Sequence, residues 1–123
     1  MNDNIKKEPR IEQIMSRLYT ADNKTVQKSI NVENGLYQGL KEIEPRYNAT
    51  ISDLVNACIE FYVSENEIVY YPKPPTEIAE YRSFMIRQEN LRKLQEIKNR
   101  TGIGISRLIN LSIKKVLDIK NKP

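Results

Sequence analysis

The chain has 123 residues, with 20 Lys and Arg against 16 Asp and Glu, one Cys and no His. That length suits one compact domain or two very small interlocked ones. Without His the chain lacks the side chain most used for acid–base chemistry near neutral pH. One Cys closes neither an internal disulfide nor a Cys-rich zinc site, so no enzyme, metal centre or cofactor is expected.

Residues 1–7 are polar, and the start M-N-D-N-I-K-K lacks the apolar region of a signal peptide. No apolar run approaches the ~20 residues that span a bilayer, so a soluble, cytoplasmic protein is expected. From Pro9 to Tyr19, Ile11, Ile14, Met15 and Leu18 fall at i, i+3, i+4 and i+7, one face of a helix with Pro in its first turn. This N-terminal extension, residues 1–24, either packs on the main body or offers its stripe to a protein partner.

Thr25 to Val32 alternates as a strand does. Val26, Ile30 and Val32 share one face with Lys28, and Thr25, Gln27, Ser29 and Asn31 share the other. A helix is predicted from about Asn34 to Glu44, with Leu36, Leu40 and Ile43 on one side, weakened by Gly35 and Gly39 and stopped at Pro45. Ser52 is the expected cap of a second helix over Asp53 to Ser64. Cys58 lies in its apolar stretch and reads as a buried thiol, since no His is available to activate it.

Residues 65–80 form a linker in which three prolines in four positions favour extended chain. The pattern then recurs. Tyr81 to Arg87 alternates, with Phe84 and Ile86 on one face and Tyr81, Ser83 and Met85 on the other. A helix from about Glu89 to Arg100 carries Leu91, Leu94 and Ile97, with Gly102 suited to a left-handed cap. Ser106 is the expected cap of a last helix with Leu108, Ile109, Ile113, Val116 and Leu117 along its stripe. Charge divides the copies: residues 25–64 hold three basic and five acidic residues, whereas 81–123 hold eleven and three. The basic end suits a polyanion, or is a solvated helix face.

Strand, helix, connector and Ser-opened helix, found twice, resembles the ribbon-helix-helix family of DNA-binding proteins. The resemblance covers Thr25 to Ser64 and Tyr81 to about Lys120. It implies a mainly α fold with a short antiparallel β-ribbon, a tandem ribbon-helix-helix pseudo-dimer preceded by an N-terminal helix. The units would be 25–64 and 81–123. In this family one ribbon face covers the core and the other enters the major groove of double-stranded DNA. The base-contacting residues implied are Gln27, Ser29, Asn31, Tyr81, Ser83 and Met85. Gln and Asn amides suit adenine, Ser suits several bases, and Met suits a thymine methyl. Met85 departs from the family's usual polar residue, and Lys28 from its inward apolar one; Lys28 is expected to snorkel to the ribbon's end toward a phosphate.

The family also clamps a phosphate at the start of each unit's second helix. Thr50, Ile51 and Ser52, then Gly104, Ile105 and Ser106, would hold those places, with Arg87, Arg100 and Arg107 nearby. These features imply base specificity mainly from the first copy and backbone grip mainly from the second. Tandem chains of this kind resemble accessory proteins of conjugative relaxosomes; plasmid or mobile-element repressors are the related role. The alternative is an antitoxin or partition adaptor whose stripe of Ile11, Ile14, Met15 and Leu18 binds a protein. The chain is expected as a monomeric pseudo-dimer or a domain-swapped dimer, with or without cooperative binding on DNA repeats. G-I-G at 102–104 is too short for a phosphate loop.

Overall fold

The computed structural model describes residues 10–15, 24–64 and 77–121. The chain order is α1 (Ile11–Met15), β1 (Thr25–Glu33), α2 (Asn34–Tyr47), α3 (Ile51–Ser64), β2 (Ala79–Arg87), α4 (Gln88–Thr101) and α5 (Ile105–Lys120). The fold is mostly helical with one two-stranded antiparallel sheet. Among the described residues no helix is long and apolar enough to cross a membrane.

The two strands pair along their whole length, with Ser29 opposite Ser83 at the centre. Alternation puts Ile30, Val32, Phe84 and Ile86 on the covered side, each at most 3% exposed, with Val26 half-buried beside them. Beneath lies one core, built from Leu40, Ile43, Leu54, Val55, Ile59, Leu94, Leu108, Ile109 and Ile113 among others. α3 packs on α5, α3 also lies against β2, and α5 lies against β1. α3 thus supports the strand that follows it, and α5 the strand farthest from it in sequence.

Several boundaries differ from expectation. β1 includes Glu33 and β2 begins at Ala79, inside the span read as linker; most of that linker (65–76) lies outside the described residues. α2 runs past Pro45 to Tyr47 and stops at Asn48, whose φ of 49° is left-handed. Pro45 lies in the last turn on an exposed face, so the one bond it cannot donate leaves a carbonyl that water reaches. α4 ends as read, at Gly102 with φ 80°, whose N–H donates to Lys98 O at 2.7 Å.

Gly39 does more than weaken its helix: a Cβ there would stand 2.6 Å from Leu117 Cδ1, so its bare backbone permits the approach of α2 to α5. In α1, Ile14 and Met15 are each 1% exposed and α1 packs on α3 and α5. Ile14 and Met15 of the N-terminal stripe are therefore core and not free to meet a protein partner, and Ile11 is half-buried against that core; Leu18 lies outside the described residues, as do residues 1–9.

Every element of the second set begins 54 residues after its counterpart: β2 after β1 (79 and 25), α4 after α2 (88 and 34), α5 after α3 (105 and 51). The left-handed residues Asn48 and Gly102 keep the same offset. So do two bonds that close the ribbon's ends, Asn34 N–H to Ile78 O and Gln88 N–H to Lys24 O, both 2.8 Å.

Candidate nucleic-acid interface

The register decides which side chains share the outer face. Residues directly opposite in an antiparallel pair point the same way. Gln27 stands opposite Met85, Ser29 opposite Ser83, and Asn31 opposite Tyr81, so the six candidate base-reading residues form three cross-strand pairs on one side. Tyr81 is 73% exposed and Met85 44%; Gln27, Ser29 and Ser83 are exposed and Asn31 is half-buried. From Gln27 to Asn31 the face is roughly 14 Å long at ~3.4 Å per residue, and two strands are ~5 Å apart. A major groove ~12 Å wide admits such a ribbon.

Pairing also mixes the strands. One end of the face holds Gln27 with Met85, and the other Asn31 with Tyr81. Each end therefore has one amide and one larger apolar or aromatic side chain. The amides of the first strand are not gathered at one end: each end pairs an amide from β1 with a larger side chain from β2.

The ribbon's orientation on the helices is held by two buried asparagines. Asn56 Nδ2 donates to Met85 O and Ser52 O, both at 2.9 Å, and Asn56 Oδ1 accepts from Arg87 N at 2.9 Å. Asn110 repeats this at the 54-residue offset. Its Nδ2 donates to Asn31 O at 2.9 Å and Ser106 O at 2.8 Å, and its Oδ1 accepts from Glu33 N at 2.9 Å. These bonds satisfy backbone groups of both outer strands that no third strand meets. Sequence reasoning passed over both residues. The signal was present in I-S-D-L-V-N and I-S-R-L-I-N, where the same polar residue interrupts the same apolar stripe.

The helix starts differ from expectation. Thr50, not Ser52, caps α3: Thr50 Oγ1 accepts from Asp53 N at 3.1 Å, and Asp53 Oδ2 accepts from Thr50 N at 3.3 Å. Ser52 lies within the helix and its Oγ accepts from Met85 N at 2.9 Å, so it holds the ribbon. At α5 the cap is Gly104, with no side-chain cap bond, and Ile105 and Ser106 are in the first turn. The first turn of α5 thus has no side-chain cap on its backbone amides, whereas Asp53 places a carboxylate at the start of α3. The two expected clamps therefore differ: Thr50–Ser52 has Asp53 beside it, and Gly104–Ser106 has no acidic residue in its first turn.

Two of the expected phosphate cations are committed elsewhere. Arg87 is 7% exposed and ion-paired to Glu60. Arg107 Nη1 donates to Glu33 Oε2 at 2.7 Å, and Glu33 is 5% exposed. Both guanidiniums hold the two sets of elements together, so neither is set to grip a phosphate. Arg100 is exposed in the last turn of α4, as expected. Arg46 holds the matching place in α2, was not singled out, and is recoverable only from the 54-residue offset. Lys28 lies opposite Phe84, one place from the centre and not at the ribbon's end, and its side chain is exposed. Its matching residue, Arg82, stacks on Tyr37 with 3.8 Å to the ring centroid.

Arg92 is neutralised on its own helix by Glu89 and Glu96, and its hydrogen bond holds the Glu89 carboxyl below its ordinary range. Among the described residues, Lys28, Arg46, Lys98, Arg100 and Lys115 form no ion pair. Cys58 is fully buried and burial pushes its thiol up to about 12, which suits a core residue and not a nucleophile. No protein-family model matches the chain, and comparison with curated proteins and solved structures returned no match.

Proposed function

We propose that this chain is a sequence-specific double-stranded DNA-binding protein that lays the outer face of its ribbon in the major groove. Residues 25–64 and 79–121 act as two ribbon-helix-helix units folded on each other as an intramolecular pseudo-dimer. The observation that carries the reading is the register: it gathers Gln27, Ser29, Asn31, Tyr81, Ser83 and Met85 on one side, while the reverse side seals the core. An exposed strand face without such a use is a liability, since it invites edge and face association.

Gln27 and Asn31 donate and accept through their amides at adenines, one at each end of the face. Met85 and Tyr81 touch thymine methyls and sugars beside them. The Gly104–Ser106 amides take a phosphate on one flank, and Arg46, Arg100 and Lys28 supply charge that is not sequence-selective. Because Gln27–Met85 and Asn31–Tyr81 differ, the site read lacks two-fold symmetry. The fused pair of units relates the chain to plasmid and mobile-element proteins, as a relaxosome accessory protein or a repressor. The antitoxin-like alternative is not favoured, because Ile14 and Met15 are already buried.

The direct test is equilibrium binding to a mixed-sequence duplex at two salt concentrations. The reading predicts binding that weakens by at least about tenfold between roughly 50 and 200 mM salt, as released counterions require. No binding at the lower salt would end it.

A further inference from the structure

The two buried ion pairs do not repeat each other. Glu33 and Arg87 hold the same place, the last residue of each strand, and are 54 residues apart. They carry opposite charge. Each faces a polar stripe on the helix of the other set, spaced i, i+3, i+7 on one helix face. Glu33 meets the stripe Arg107, Asn110, Lys114, through its ion pair to Arg107 and its N–H bond to Asn110. Arg87 meets the stripe Asp53, Asn56, Glu60, through its ion pair to Glu60 and its N–H bond to Asn56. The asparagines match across the offset, whereas every charge around them is inverted.

We infer that these charges are a pairing code: the 25–64 unit accepts the 79–121 unit and rejects a second copy of itself. The inference rests on reading the two stretches as equivalent units. In a pair of two 25–64 units, each Glu33 faces Asp53 and Glu60. In a pair of two 79–121 units, each Arg87 faces Arg107 and Lys114. Glu33 and Arg87 are 5% and 7% exposed, so water screens these contacts little. Leaving one such buried charge without a partner disfavours a pairing roughly a hundredfold or more, and opposing it with like charge disfavours it further. The buried residues match in kind at Leu40 and Leu94, Ile43 and Ile97, and Leu54 and Leu108, and differ at Ile30 and Phe84, Leu36 and Asn90, and Ala57 and Leu111, so core shape contributes to the choice as well and a change at Glu33 alone isolates the charge. The code directs the unit's choice of partner, within one chain or between two chains that exchange units. It forbids same-unit dimers, which would present Gln27 and Asn31 twice and read a palindrome.

The test uses the whole chain with a protease site placed within residues 65–76. The folded protein is cut, unfolded, refolded from its equimolar fragments and weighed by native mass spectrometry. The code predicts mixed pairs alone, at more than about nine-tenths of all pairs. Same-unit pairs near statistical proportion would overturn the code and leave the two-unit reading standing. Refolding without any pairing would overturn both. A second arm uses Glu33→Arg, which gives the first unit the residue its counterpart already holds there. The introduced guanidinium then opposes Arg107 in mixed pairs and meets Asp53 and Glu60 in pairs of the first fragment. Those same-unit pairs are predicted to become the major species, and an unchanged preference for mixed pairs would refute the code.

Discussion

α3 and α5 share one hold on the ribbon and begin in different ways. In both, a buried Asn spans two backbone groups of the strand beside it. At the start of α3, however, Thr50 and Asp53 close on one another, whereas α5 starts on Gly104 and carries Arg107 three residues later. The comparison separates two kinds of position. The asparagines that seat the ribbon are matched between the two regions, and the residues that set charge around them are inverted. The difference leaves the start of α5 without a side-chain cap and places a carboxylate at the start of α3.

The strongest way to break this comparison is to remove a buried charge. Arg107→Ala leaves Glu33 buried without its partner, and a loss of about 3–5 kcal/mol is expected in chemical denaturation. A loss below about 1 kcal/mol would return Arg107 to the surface role first expected of it. The asparagines test the matched side of the comparison. Asn56→Ala and Asn110→Ala each orphan a buried N–H and a strand carbonyl, so each is expected to cost about 2–3 kcal/mol, with Asn56 the costlier because it also accepts from buried Asn90 Nδ2 at 2.9 Å. A cost below about 1 kcal/mol at either position would show that the asparagines do not seat the ribbon.

Smaller effects are expected on the outer face. Gln27→Ala and Asn31→Ala are each expected to reduce base discrimination by about 1–3 kcal/mol, at opposite ends of the site, with stability changed by less than about 0.5 kcal/mol. Loss of discrimination at the same end in both variants would contradict the register. The smallest effect sharpens the comparison of flanks. Asp53→Asn removes the carboxylate at the start of α3 and is expected to raise affinity for all sequences by a few-fold, about 0.3–1 kcal/mol, in a titration at low salt. An unchanged affinity would show that this flank stays clear of the backbone.

Much of the fold was legible because its signals are local. Alternation at Val26 to Val32 and at Phe84 to Ile86 showed the strands and their covered faces. Helical spacing showed α2 to α5, and Gly102 marked the end of α4. The stop of α2 was misread, because Pro45 is tolerated in a last exposed turn and Asn48 makes the reversal. The caps were misread for a similar reason: Ser52 and Ser106 look like caps one turn at a time, and only the strand beside Ser52 shows what its hydroxyl bonds. The outer-face residues followed from parity alone. Their division between the two ends did not, because it depends on antiparallel register. Arg87 and Arg107 read as surface cations because their partners, Glu60 and Glu33, are 27 and 74 residues away. Long-range ion pairs leave no local pattern.

The measurement that tests the central claim most directly is selection from a randomised duplex pool, run with the native chain and with a Gln27→Ala, Asn31→Ala double variant. The account predicts one enriched site without two-fold symmetry for the native chain, and its loss in the double variant while salt-dependent binding persists. No enriched sequence, or a palindrome that survives the double substitution, would contradict it.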